Sequence, residues 1–139
     1  MPRLVFVDSS AFIARYLPDD QFHAAGVAEY QRLVKAGCAF VTSNYIFDEV
    51  VSRVKRRAGH ARSREAGDRI REHPSLFRTF IDDELEDEAW RLHDKFADQP
   101  LTFTDVTCVA IMRRQGINEI FSFDSDFDRV GLVRLPAGR

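Results

Sequence analysis

A chain of 139 residues with 45% hydrophobic and 30% charged side chains has room for one ordinary core, so a single domain over residues 1–139 is the expectation. No apolar run approaches the length of a membrane span, and the start lacks the basic, apolar and small-residue segments of a secretory signal, so a cytoplasmic protein without membrane contacts is expected. The net charge of -2 says little about partners, because eight basic residues stand against Glu65 and Asp68 between Arg53 and Arg71, while Asp82 to Glu88 carries six acids and no base.

Leu4 to Val7 is a continuous apolar run, the pattern of a central parallel strand buried on both faces, with Asp8 at its C-terminal end. Ser9 or Ser10 can cap a short helix through about Tyr16, closed by Pro18, and a second helix is predicted from Phe22 to Ala36 before Gly37. Ala39 to Thr42 follows as a strand. Asn44 is then expected to cap a helix whose apolar face is Ile46, Phe47, Val50, Val51 and Val54 and which ends near Gly59; a more polar helix runs to about His73. Phe77 to Ile81 is predicted as a strand, and the acids from Asp82 suit a helix N-terminus, with Leu85, Ala89, Leu92 and Phe96 as its stripe. Thr102 to Gln115 is the last long helix, with Val106, Val109 and Ala110 inward and Gly116 as its stop; Ile120 to Phe123 and Leu132 to Leu135 finish as strands. Strands alternating with helices imply an α/β domain with a mainly parallel sheet. Cys38 and Cys108 have no metal or redox spacing and are expected as buried thiols, and His23, His60, His73 and His93 are scattered as packing or surface residues. The phenylalanines fall at core spacing and predict no base-stacking platform.

Four acids stand out by position. Each has a plain structural use: Asp8 can cap a helix, Glu49 can pair with Arg53 one turn on, Asp105 can serve a first helical turn and Asp124 can hold a turn. Together they suggest more, because open parallel sheets bind ligands beyond the carboxyl ends of their strands. Asp8 and Asp124 follow strands, Asp105 opens a helix, and Glu49 lies two turns into the helix after another strand. Converging carboxylates repel unless a cation joins them, and magnesium, which prefers oxygen ligands, is the natural counterion, with manganese as a substitute. Asp48, on the polar face with Asn44, Ser52 and Lys55, is expected in solvent.

The chain resembles the PIN-domain family, and within it the VapC-type toxins. The resemblance rests on Phe6-Val7-Asp8-Ser9-Ser10, Thr42-Ser43-Asn44 followed by Glu49, Thr102-Phe103-Thr104-Asp105, and Phe123-Asp124-Ser125-Asp126-Phe127, in the family's order over the whole chain. It implies a three-layer α/β/α sandwich and endonucleolytic cleavage of RNA by a metal-activated water, with a 5'-phosphate and a 3'-hydroxyl as products. It further implies the role of toxin in a type II toxin-antitoxin pair, a homodimer and a cognate antitoxin partner. Carried over by residue, Asp8, Glu49, Asp105 and Asp124 are the catalytic and metal-binding acids, Asp126 is a further metal ligand, and Ser9 and Thr104 orient carboxylates or touch phosphate. An acidic pocket repels RNA, so Arg53, Arg56 and Arg57, on the helix that carries Glu49, are the candidate RNA contacts.

Asp124, Asp126 and Asp128 imitate the start of an EF-hand loop, but Arg129 and Leu135 occupy its glycine and glutamate positions. A haloacid-dehalogenase-type phosphatase needs a second Asp where Ser10 stands, and a receiver domain needs a late lysine, whereas none follows Lys95. The rival from another class is a catalytically idle PIN-like module that binds RNA or protein.

Overall fold

The computed structural model describes residues 2–138. The strands are β1 (Leu4–Val7), β2 (Ala39–Ser43), β3 (Leu76–Thr79), β4 (Glu119–Phe121) and β5 (Val133–Leu135). Between them run α1 (Ser9–Tyr16), α2 (His23–Lys35), α3 (Asn44–Ala58), α4 (His60–Glu72), α5 (Asp83–Lys95) and α6 (Phe103–Gln115), and a 3-10 turn covers Ser125–Val130. All five strands are parallel, in the order β3-β2-β1-β4-β5. Helix α1 packs on α2 and α3, α3 packs on α4, and α5 packs on α6, so helical layers cover the sheet in a three-layer α/β/α sandwich.

The apolar run of β1 is central as its composition requires: Val5, Phe6 and Val7 are all buried between the layers. From β1 the chain order steps outward to β2 and β3 on one side and to β4 and β5 on the other, so the crevice beyond the carboxyl ends of β1 and β4 is the sheet's switch point. Asp8 leaves β1 at that point, and its N–H continues the ladder by donating to the Phe121 carbonyl at 3.1 Å. Thr42 Oγ1 donates to the Val7 carbonyl at 2.9 Å and locks the end of β2 against the end of β1.

Helix α6 differs from expectation in how deeply it sits. Every residue from Val106 to Met112 is buried, including Thr107 and Cys108, so it is a core helix rather than one with a single inward stripe. The buried thiols of Cys38 and Cys108 are free. Strand β3 ends at Thr79 instead of Ile81, because the Ile81 N–H turns away to Asn44 Oδ1 at 2.7 Å. Strand β4 ends at Phe121 instead of Phe123, whose N–H goes to Ser10 Oγ at 2.9 Å.

The cap of α3 is also displaced by one residue. Ser43, not Asn44, is the N-cap: its hydroxyl accepts from the Ile46 N–H at 3.1 Å, and Asn44 instead ties α3 to the connection after β3. Because Ser43 is fully buried, no water can replace the lost acceptor, and Ser43→Ala is expected to cost about 1 kcal/mol or somewhat more of stability in urea unfolding. An unchanged unfolding midpoint would show that the start of α3 is held by something else.

Candidate active site

Asp8 is only 4% exposed, yet its carboxylate is well supplied with donors: Oδ2 accepts from Ser10 Oγ at 2.9 Å and from Ser122 Oγ at 2.8 Å. Burial pushes its pKa above the usual carboxylate value, the two hydroxyls and the Ser9 amide pull it back, and the charge of Glu49 pushes it up again. Glu49 reaches the same place from α3, where the Ser9 hydroxyl donates to Oε1 and Arg53 stands 3.8 Å from Oε2.

Asp105 comes from the start of α6 and completes a capping box. Its Oδ2 accepts from the Thr102 N–H at 2.9 Å while its own N–H donates to Thr102 Oγ1 at 3.2 Å. Burial raises its pKa to about 6; the Thr102 backbone bond opposes the shift, and the charges of Asp8 and Asp124 add to it. Asp124 follows β4: its N–H donates to Ser122 Oγ at 3.0 Å, and its Oδ1 accepts from the Asp126 N–H at 2.9 Å, which starts the 3-10 turn. Asp126 is also raised, by desolvation and then by the neighbouring Asp124. The buried Cys108 thiol of α6 is pushed up chiefly by burial and further by the charges of Asp8, Asp105 and Glu49.

Asp8, Glu49, Asp105, Asp124 and Asp126 all line one cleft of about 130 Å³, together with Ser9, Ser10, Arg53 and Thr102. The acids therefore share a rim, although among the described residues no three acidic, His or Cys side chains converge closely enough to grip an ion as they stand. Three of the plain structural uses also hold, since Glu49 pairs with Arg53, Asp105 completes the capping box in the first turn of α6 and Asp124 holds the turn, whereas Asp8 makes no side-chain cap for α1. Asp48 is exposed and accepts from Ser52, as expected of a solvated face.

Among the described residues the Thr104 hydroxyl makes no hydrogen bond to a carboxylate. It lines a neighbouring cleft with Tyr45 and Arg56, and Thr102 holds Asp105 instead, because the cap position of a helix faces the N–H groups and side chain of the third residue on. Ser10, expected only as a possible helix cap, and Ser122, for which the sequence carries no signal, are the two side chains that hold Asp8. Ser10 sits in the Asp8-Ser9-Ser10 run and so was within reach, while Ser122 acquires its role only through the pairing of β1 with β4.

The basic segment divides on folding. Arg53, Arg56 and Arg57 line the clefts beside the acids. Arg62 donates to the Tyr16 carbonyl, and Arg64 and Arg69 pair with Asp68 and Glu65 on their own helix. Arg57 is itself engaged, with Asp20 at 3.0 Å and Asp19 at 3.7 Å.

Comparison with known proteins places this geometry. The PIN domain family profile matches residues 5–132. The chain is 30% identical over 132 residues, 95% of its length and 98% of the relative's, to the 23S rRNA-specific endonuclease VapC20 of Mycobacterium tuberculosis. The crystal structure of VapC20, described as a Sarcin-Ricin loop cleaving toxin, superposes with a TM-score of 0.83 at 28% identity, covering 93% of this chain and 96% of that one. A toxin-antitoxin complex from Klebsiella pneumoniae (TM-score 0.63, 17% identity, 93% and 95% covered) and VapBC2 from Rickettsia felis (0.68, 10%, 94% and 96%) share the fold. With its profile match running from β1 to the threshold of β5, the chain belongs to the PIN-domain family.

Proposed function

We propose that this chain is a magnesium-dependent endoribonuclease and the toxin of a type II toxin-antitoxin pair. The observation that carries the reading is the single cleft lined by Asp8, Glu49, Asp105, Asp124 and Asp126, five acids from four separate stretches of chain, with Arg53 on its wall. The likeness to a relative described as an rRNA endonuclease and a toxin supports it, and makes 23S rRNA the first substrate to try. On this reading the protein acts as one domain and as a homodimer in the cytoplasm, on RNA, and a cognate antitoxin protein neutralises it. Among the described residues no helix is long and apolar enough to cross a membrane.

The donor set fits a hard divalent cation, since every candidate ligand is a carboxylate oxygen and neighbouring negative charge adds to burial in raising Asp8 and Asp105. Asp8, Glu49, Asp105 and Asp124 would hold it, with Asp126 at the rim, and drawing them together requires rotation about side-chain torsions. When bound, magnesium or manganese neutralises phosphoryl charge and lowers the pKa of water, the chemistry that hydrolysis of a phosphodiester needs. The protein's own part is to aim the acids: Ser10 and Ser122 fix Asp8, Ser9 fixes Glu49, Thr102 fixes Asp105, and the Asp126 amide fixes Asp124. Arg53, between the acid cleft and both of its neighbours, is placed to meet a phosphate as the strand enters.

Purified protein should cut RNA with magnesium or manganese and not with chelator, and Asp8→Asn should lower the rate at least about a hundredfold, the scale of losing a central charge in such a site. Equal cleavage by that variant would place the chemistry elsewhere.

Asp105 links the site to stability. Its folded pKa of about 6 lies above its ordinary 3.8, so its ionised form is disfavoured by folding. The penalty is absent below about pH 4, grows as the pH rises, and is complete above about pH 6. Asp105→Asn should therefore raise stability at pH 7.5 by on the order of 1–2 kcal/mol, allowing for partial solvent screening, and change it little at pH 4. It should also blunt the rise in melting temperature that magnesium or manganese gives the parent protein. Thermal melts at the two pH values, with and without cation, decide it; a variant destabilised at pH 7.5 would contradict the repulsion.

Arg56 has no carboxylate partner among the described residues. Arg56→Ala should weaken RNA binding and reduce the slope of log affinity against log salt by about 0.7, one phosphate on a single strand. An unchanged slope would remove Arg56 from the RNA path.

A further inference from the structure

Beside the acid cleft lies a larger one of about 600 Å³, within the size range of sites for small ligands, walled by Ser10, Phe22, Arg53, Arg56, Phe123 and Asp124 among others. Its distinguishing feature is a pair of parallel rings: Phe22 and Phe123 stack with centroids 4.7 Å apart and planes within 3°. Both are half-buried. Phe123 packs against the hydrophobic core, while Phe22, on the connection between α1 and α2, lies over Phe123 outside the core cluster. The phenylalanines are thus not all spent on the core.

The backbone that carries each ring is held by polar groups of the site. Asp20 Oδ1 accepts from the Phe22 N–H at 2.9 Å while its Oδ2 takes Arg57 at 3.0 Å, so one carboxylate ties the outer ring to α3. The Phe123 N–H donates to Ser10 Oγ at 2.9 Å, and that same hydroxyl donates to Asp8 Oδ2. The ring pair is therefore braced against both the cation-bearing helix and a principal acid, and Phe123 directly precedes Asp124. Arg53 lines this cleft and the acid cleft alike, and Arg56 lines this cleft and the one beside Tyr45. A rigid aromatic face, flanking cations and an adjacent acid site together match an unstacked nucleotide, whose base offers a π-face and whose phosphate offers negative charge.

We propose that Phe22, backed by Phe123, is a stacking platform for a base of single-stranded RNA next to the scissile phosphate, with Arg56 on the flanking phosphate. This rests on the nuclease reading and deepens it. Because every base has a π-face, the platform selects for bases free of a duplex, in loops and single strands, rather than for a sequence.

The test uses short single-stranded RNA carrying 2-aminopurine, in chelator so that nothing is cut. Wild-type protein should quench the probe, and Phe22→Leu, which keeps an apolar side chain but no ring, should abolish the quench and weaken binding by roughly 5- to 100-fold, the loss of one base–aromatic stack. An otherwise identical strand with an abasic site in place of 2-aminopurine should bind wild type and Phe22→Leu equally, and should bind wild type more weakly than the intact strand by a similar factor. That last comparison needs no variant and stands even where Phe22→Leu fails to fold. Trp90→Leu, at an exposed ring on α5, should leave quench and affinity unchanged. Persistent quench in folded Phe22→Leu, or an abasic strand that wild type binds as tightly as the intact one, overturns the platform. Metal-dependent cleavage without the quench sinks the platform alone; quench without cleavage under any divalent cation sinks the nuclease reading, and with it the placement of the platform beside a scissile phosphate.

Discussion

The site turns on a carboxylate that the fold withdraws from water. Asp8 stands at the end of the central strand β1, and an anion there is tolerated because Ser10 and Ser122 bring two hydroxyls to one of its oxygens and the Ser9 amide adds a third donor. Those two serines arrive from different directions, one from the first turn of α1 and one from the end of β4, so the charge of Asp8 receives its full set of donors when β1 and β4 are paired. The same pair of hydroxyls then receives the backbone of the next loop, Ser10 from Phe123 and Ser122 from Asp124. Burying one acid thereby sets the course of the segment that delivers another.

How much of this could be read from the sequence follows from the range over which each feature is determined. The strands and helices were legible because each is written in a local pattern, and the position of the acids at strand ends was legible because a parallel sheet has a fixed polarity. The displaced details are those in which two local solutions compete and a distant contact decides. Asn44 is as good a cap as Ser43 in isolation, but the Ile81 amide, arriving from beyond β3, claims it. Thr102 and Thr104 both flank Asp105, and only the cap geometry of α6 separates them. Ser122 carries no signal of its own, since its importance lies wholly in the cross-strand neighbour it acquires. The inward positions Val106, Val109 and Ala110 are legible on α6, but its depth is not: Thr107 and Cys108 look neutral in sequence, yet a helix packed into the core has no solvent side over that stretch.

Charge behaves similarly. A run of basic residues from Arg53 to Arg71 looks uniform in sequence, but a helix distributes side chains around its axis and the bend at Gly59 redirects the second half of the run. Local i,i+4 pairing neutralises Arg64 and Arg69. Arg53 and Arg56 lie three apart, hence on one face of α3, and it is this spacing that sets both along the clefts beside the acids. Density of charge in a sequence therefore indicates a partner less well than the face on which the charges remain free.

The distribution of roles between sheet and loops accounts for what relatives at low identity can share. Two solved structures keep this architecture at 17% and 10% identity, so the layered core tolerates almost complete replacement. What the core fixes is the relative placement of strand ends, and hence of the acids. Phe22, by contrast, is held on a connection by an Asp20 carboxylate and a neighbouring ring, contacts that no strand pairing imposes. A loop so braced can change its side chain without disturbing β1 or α6, whereas Ser10 cannot change without loosening Asp8 and the backbone at Phe123 together. The side chain at the aromatic wall is thus free to vary, while the acid rim beside it is constrained by the same hydrogen bonds that let the sheet bury a charge.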